Sequence, residues 1–202
     1  MTGSRPKLAA IVLAAGLSVR MSQPKMILPW GGKTVIQAVV ETLDGGGVGK
    51  ILVVTGAIHD QISKILEGYP VVLVFNPHYS DGEMLHSLQA GLSHLGPEVE
   101  GVFIVLGDQP QILHSTVASL EQEFDANPAR LIIPSFQMRR GHPWLIRRTL
   151  WDELQALQTP ETLRDFLRTH AGEIHYVNLD TSTILADLDT PEDYQKYLPE
   201  AG

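Results

Sequence analysis

The sequence predicts one α/β domain, a three-layer α/β/α sandwich built on a mostly parallel mixed sheet. Three observations lead there: short apolar runs rich in β-branched residues, amphipathic helical stretches between them, and glycines where a helix stops. The first run, at residues 9–13 within LAAIVLA, is apolar at every position, the pattern of a strand buried on both faces. TVIQAVVETLD then places Val35, Ile36, Val39, Val40 and Leu43 on one helical stripe and stops at the glycines of 45–47. Further buried strands follow at 51–55 (ILVVT), 71–75 (VVLVF) and 102–106 (VFIVL). Between the last two, EMLHSLQAGLSHL lines up Met84, Leu85, Leu88, Leu92 and Leu95 as a second amphipathic helix. The second half is less regular. Strands are expected at 130–134, around 142–146 and near 174–178, with helices near 150–157 and 160–170. This alternation makes the fold Rossmann-like, and neither an internal repeat nor a low-complexity segment interrupts it.

Composition bounds the function. A chain of 202 residues with 44% hydrophobic content sustains one sizeable core, so residues 1–202 read as one domain, with 1–7 expected as a flexible tail. No apolar run approaches the roughly 20 residues of a membrane helix, and MTGSRPK lacks the apolar centre of a signal peptide. A cytoplasmic protein with no membrane role is expected. The absence of cysteine excludes disulfides, thiolate metal sites and a thiol nucleophile. Eight histidines form no HExxH or other close ligand pair, which leaves zinc unsupported. A net charge of -8 argues against nucleic acid as a partner, because phosphate backbones demand clustered Lys and Arg. Any anionic ligand must be met locally.

One loop offers that. LAAGLSVRMSQPK follows the first strand at the carboxyl edge of the sheet, where parallel sheets bind ligands. Ala14, Ala15 and Gly16 let backbone come close to a ligand, and Arg20 and Lys25 supply the charge a polyphosphate needs. An ordinary strand-to-helix turn with solvated Arg and Lys explains the same local pattern. Three known motifs fail here. GGKT at 31–34 resembles the end of a P-loop, but its first glycine would fall at Ile27. GLSVR begins like a nucleophile elbow, yet Arg20 stands where the closing glycine belongs. No GxGxxG follows the first strand, which removes the main support for a dinucleotide-dependent oxidoreductase.

The longer stretch LAAGLSVRMSQPKMILPWGGKTVI resembles the signature LAAGxSxRMGxPKxLLPxxGxxxI of the MobA-like nucleotidyltransferases, specifically the molybdenum cofactor cytidylyltransferase branch. SLQAGL at 87–92, GDQP at 107–110, GHPWLI at 141–146 and DLDTPEDY at 187–194 continue the resemblance in the family's order across nearly the whole chain. Two departures stand out. Ser22 replaces the usual glycine, and GEMLHSL is one residue longer between Gly82 and Ser87 than in the relatives it resembles.

The resemblance implies an enzyme that joins a nucleoside triphosphate to a phosphorylated acceptor and releases pyrophosphate. It implies catalytic roles for Lys25, at the developing negative charge, and for Arg20, at the departing pyrophosphate. Leu13, Ala14, Ala15, Gly16, Ser87 and Gly107 would border the nucleotide. Asp108 and Asp189 would hold magnesium, with Asp187 in reserve, and His142 would touch the acceptor. From the residues alone, Asp108 also suits a turn cap before Pro110, and Asp189 suits a helix N-cap. Two carboxylates hold magnesium weakly, so triphosphate and water should complete its shell. Ser87, Ala90 and Gly91 form a small-residue strip that suits close packing as well as nucleotide contact, and His142 suits a hydrogen-bonded turn. Arg139, Arg140, Arg147 and Arg148 either flank an anionic acceptor or form a solvated strand end, while Phe103 and Trp144 read as core. Within the resemblance, LAAG, QPK and GDQP point to CTP as donor and a molybdenum-loaded molybdopterin as acceptor. Guanylyl transfer, a sugar or polyol phosphate acceptor, and a non-catalytic carrier serving a molybdoenzyme or maturation chaperone are the alternatives. Retention of both Lys25 and Asp108 favours the enzyme.

Overall fold

The computed structural model describes residues 7–16, 23–81 and 84–199. Strand β1 (Leu8–Ala14) is buried along its whole length, as its unbroken apolar run predicts. A small hairpin, β2 (Pro29–Trp30) and β3 (Lys33–Thr34), turns through Gly31 and Gly32 at φ 52° and 82°. Both lie in the left-handed region, where glycine carries no Cβ penalty. GGKT is thus a hairpin turn leading into a helix cap. The Thr34 hydroxyl accepts from the Gln37 N–H, and the Gln37 carboxamide accepts from the Thr34 N–H, which starts α1 (Val35–Gly45) with a reciprocal capping box. Gly47, at φ 88°, closes the far end, with its N–H on the Asp44 carbonyl.

The chain continues through β4 (Lys50–Thr55), α2 (His59–Ile65), β5 (Val71–Phe75), α3 (Met84–Leu92), β6 (Gly101–Leu106) and α4 (His114–Ala126). The second half adds β7 (Leu131–Phe136), β8 (Arg139–Arg140), β9 (Trp144–Arg147), α5 (Trp151–Ala156), α6 (Leu163–Thr169), β10 (Ile174–Asn178) and α7 (Pro191–Tyr197). The main sheet runs β10-β7-β9-β6-β1-β4-β5, and β8 pairs with β7. Pairs β1–β4, β1–β6, β4–β5 and β7–β10 are parallel, whereas β9 runs antiparallel between β6 and β7. The sheet is mixed and mostly parallel, with β1 next to its centre.

Side-chain parity divides the interior. Ala9, Ile11 and Leu13 face a core closed by α3, α5 and α6, including Leu88, Trp151 and Phe166. Leu8, Ala10, Val12 and Ala14 face the other, closed by α1 and α4 through Val39, Leu43, Leu120 and Phe124. Burying each large side chain contributes roughly 1.5–3 kcal/mol, so β1 is both the geometric and the energetic axis of the fold. Gly91 fixes how closely α3 approaches that axis, since a Cβ there would meet the Ile11 side chain at 2.7 Å. The small-residue strip on α3 therefore serves packing at Gly91. Phe103 and Trp144 are buried, as expected.

The basic cluster divides. Arg139 and Arg140 lie on β8, beside the carboxyl end of β7, whereas Arg147 pairs with Gly101 at the amino end of β6. Arg147 donates through Nε to the Ala129 carbonyl at 2.9 Å and lies 3.8 Å over the Phe124 ring, and Arg148 donates to the Gly96 carbonyl at 2.8 Å. These two fasten loops at the opposite edge from the signature loop, so they cannot flank an acceptor there. Of the expected N-terminal tail only Lys7 lies within the described residues, and it pairs with Asp125 at 2.6 Å. No described helix is long and apolar enough to cross a membrane.

Candidate active site

The carboxyl ends of β1 and β6 are tied together. The Gly107 N–H donates to the Leu13 carbonyl at 3.1 Å, and a Cβ on Gly107 would sit 3.0 Å from that same oxygen. The missing side chain lets the turn after β6 lie flat on the end of β1 and sets Asp108 beside the signature loop. Across the junction, Ala14 and Ala15 are buried while Gly16 is exposed, with nothing within 4 Å of where its Cβ would be. Gly16 thus presents bare backbone to solvent at the head of the loop. Arg20 and Ser22 lie outside the described residues, as does Gly82.

Lys25 opens a short 3-10 turn, residues Lys25–Ile27. Met26 anchors this turn in a main core, and Leu28 anchors it in a satellite cluster with Trp30, Val35, Ala38 and Leu188. Leu188 also positions the third segment. In the extended stretch 186–189, Ala186 and Leu188 are buried while Asp187 is exposed and Asp189 partly so. The twofold strand-like alternation turns both carboxylates away from the buried side. Asp189 does not cap the last helix. Thr190 does, with its hydroxyl accepting from the Asp193 N–H at 3.2 Å. The aspartate before it is thereby left for the site.

All three segments meet at one nitrogen. Lys25 Nζ donates to Asp108 Oδ2 at 3.0 Å and to Asp189 Oδ1 at 2.7 Å, across 83 and 164 residues of chain. The lysine is 7% exposed. Burial opposes its charge, but the hydrogen bonds to Asp189 and Asp108 and their fields prevail and hold its pKa above the ordinary lysine value. Asp187 is also raised, which in a carboxyl favours the neutral form. Desolvation raises its carboxyl and the charges of Asp108 and Asp189 add to this, against the hydrogen bond from Gln109. Two aspartates hold the lysine and the field of a third reaches it, which leaves local negative charge.

Two glutamines brace this arrangement, and sequence reasoning missed both. Gln109 Nε2 donates to Asp187 Oδ1 at 2.7 Å, and Gln111 Nε2 donates to the Thr183 carbonyl at 3.2 Å and the Ala186 carbonyl at 2.5 Å. The alternating amides of DQPQ were the available signal. Asn76, at the end of β5, was missed too; its Nδ2 donates to Ser87 Oγ at 3.0 Å, with both residues buried. Ser87 therefore sits in the floor of the carboxyl edge on the β5 side. His142 stands at the same edge on the β9 side, where its ring stacks on Trp144 at 4.5 Å and its backbone N–H donates to the Ile184 carbonyl at 3.1 Å. Burial pushes its imidazole down to about 4. Leu13 to Gly16, Gly107, Asp108 and His142 thus lie at this one edge of the sheet, Lys25 and Asp189 join it through Asp108, and Ser87 reaches it from α3 through Asn76.

Hard carboxylate oxygens gathered at one ammonium are also the donor set a divalent cation such as magnesium takes, so the residues fit such an ion. Among the described residues, however, no group of three or more His, Asp or Glu is placed to hold a metal by itself. The fit requires oxygens from elsewhere.

A mixed, mostly parallel sheet that gathers Lys25, Asp108 and Asp189 at its carboxyl edge is the fold of a nucleotidyltransferase, the class the family match gives this chain. The chain belongs to the MobA-like NTP transferase family, whose domain matches residues 10–174. It is 27% identical over 185 residues to molybdenum cofactor cytidylyltransferase of Escherichia coli K12, covering 91% of this chain and 92% of that one. It is also 25% identical to nicotine blue oxidoreductase of Paenarthrobacter nicotinovorans, covering 96% and 97%. Among solved structures, Rv0371C of Mycobacterium tuberculosis H37Rv in complex with manganese superposes with a TM-score of 0.76 at 25% identity, covering 95% of this chain and 98% of that one.

Proposed function

We propose that this enzyme transfers the cytidylyl group of CTP to the phosphate of a molybdenum-loaded molybdopterin, with magnesium as its ion and pyrophosphate as the second product. The observation that carries the reading is the meeting of Lys25, Asp108 and Asp189 where the turn after β6 is tied to the end of β1. The similarity to a molybdenum cofactor cytidylyltransferase over nine-tenths of both chains supports the choice of donor and acceptor. The manganese complex of a structural relative supports a divalent ion.

In this reading an acceptor phosphate oxygen attacks the α-phosphorus in line, the bond to the bridging oxygen of the β-phosphate breaks, and pyrophosphate leaves with that electron pair. Leu13, Ala14, Ala15, Gly16 and Gly107 border the triphosphate with backbone, the small side chains at 14–16 and 107 leaving room for it. Lys25 turns its charge toward the α-phosphate, where negative charge develops, and Arg20 takes the pyrophosphate. Asp108 and Asp189 would hold the ion, which when bound neutralises phosphate oxygens and orients them. Asp187, fixed by Gln109, is the carboxylate in reserve, and Ser87 supports the nucleotide side. His142, neutral at physiological pH, offers a hydrogen bond and not a charge to the acceptor.

The test is pyrophosphate release with CTP, GTP, ATP and UTP in turn, with and without molybdenum-loaded molybdopterin, in wild type and Asp108→Ala. Release confined to CTP with the pterin, and lost in the variant, is expected. Release with GTP would reassign the base, release with another phosphate acceptor would reassign the pathway, and activity retained in Asp108→Ala would remove Asp108 from the site.

A further inference from the structure

Lys25 stands in an unusual place for a residue that contacts phosphate. Its Nζ is within hydrogen-bond distance of both carboxylates that fit a divalent ion, at 3.0 and 2.7 Å. None of the three side chains is a loose surface group, since their exposures are 9%, 20% and 36%. Each backbone is separately pinned: Lys25 by the burial of Met26 and Leu28, Asp108 by the Gly107–Leu13 contact, and Asp189 by Leu188 and the Thr190 cap. We infer that in the nucleotide-free enzyme Lys25 is a built-in counter-ion occupying the cation position between Asp108 and Asp189, so that the divalent ion enters with the triphosphate and not ahead of it. This rests on the nucleotidyl-transfer reading of the site.

The physical reason is a competition. A divalent ion entering alone must either displace an ammonium already paired with both ligands or settle beside a like charge in a partly buried site. A triphosphate changes both conditions. It brings its own oxygens to the metal and gives Lys25 new anionic partners, so Nζ can leave the carboxylates without losing its counter-charge. Metal and nucleotide then each raise the other's affinity, and Lys25 is the element that couples them.

The probe is Mn2+ alone, titrated by electron paramagnetic resonance into wild type, Lys25→Met, Lys25→Arg and Lys25→Met/Asp189→Asn, with folding checked by circular dichroism. Removing the lysine charge should tighten nucleotide-free Mn2+ binding by about tenfold, within the usual range of coupling between two ligands. Lys25→Arg should bind as weakly as wild type, and the double variant should lose the gain. Equal or weaker binding in a folded Lys25→Met overturns the inference. Should Lys25→Met not fold, wild type decides: Mn2+ affinity must rise by about tenfold when a non-hydrolysable CTP analogue is present, and equal affinity in its absence overturns the inference. Failure of every triphosphate to release pyrophosphate would overturn the functional reading instead, a result these binding titrations do not share.

Discussion

Leu188 touches no substrate in the proposed reaction, yet its truncation should damage activity more than its place near the end of the chain suggests. It is fully buried between Asp187 and Asp189 and packs with Leu28, Trp30, Val35 and Ala38. Leu188→Ala removes a buried side chain at a typical cost of about 2–5 kcal/mol. The satellite cluster is small and can partly collapse, so roughly 2–3 kcal/mol is expected, or a fall in Tm of about 4–12 °C for a chain of this size. The larger effect is local. Loss of the anchor on the buried side frees the alternation that turns Asp189 toward Lys25, and a displacement near 1 Å at such a site costs about a hundredfold in rate. Activity should be measured at 25 °C beside thermal unfolding, with Leu188→Met as the volume-conserving control, which should keep most of both. If Leu188→Ala loses no more activity than its unfolded fraction explains, the claim that Leu188 positions the carboxylates is wrong.

Other consequences are nearer the surface of the site. Gly107→Ala places a methyl group 3.0 Å from the Leu13 carbonyl and from Met26 Sδ, and should cost about 1–2 kcal/mol while lowering kcat/KM by about tenfold or more; an active variant with wild-type Tm would refute the tight junction. Gly16→Ala meets nothing within 4 Å, so its stability should stay within about 0.5 kcal/mol of wild type while KM for the nucleotide rises. An unchanged KM would mean that phosphate does not approach that backbone. His142 is depressed from an ordinary value near 6.5 to about 4, so the folded state resists protonation that the unfolded chain accepts. Its stability contribution is complete above pH 6.5 and is lost as pH falls toward 4, by roughly 2 kcal/mol once its partial exposure is allowed for. Urea unfolding at pH 7 and pH 5 should show this loss in wild type and a smaller one in His142→Gln.

The parts of this molecule that were legible in sequence are those fixed by local pattern. The four unbroken apolar runs became β1, β4, β5 and β6, although β5 lies at the sheet edge with Val72 and Phe75 exposed and not buried on both faces as its pattern predicts, and the triple glycine ended α1. Helix α4 escaped because HSTVASLEQEFDA buries Thr116 beside only three apolar side chains, Val117, Leu120 and Phe124. Asp189 looked like an N-cap because Asp and Thr both suit that role; only the Thr190–Asp193 box assigns it to the neighbour. Lys25, Asp108 and Asp189 were each marked by resemblance to a family, but no spacing reveals that they share one nitrogen. That contact is produced by the crossover topology, which brings the ends of β1 and β6 together and folds the segment before α7 across them. The roles of Gln109 and Gln111 were hidden for the same reason, since their partners lie 78 and 72 to 75 residues away.

The most direct measurement follows the phosphorus. CTP labelled at the α-phosphate and, separately, at the γ-phosphate would be incubated with the enzyme, a divalent ion and the pterin acceptor, and the products separated. Nucleotidyl transfer at the Lys25 site predicts α label in the pterin product, γ label only in pyrophosphate, and neither outcome with Asp108→Ala. Transfer of the γ label to the acceptor, or release of free phosphate with the α label left on CDP, would contradict it.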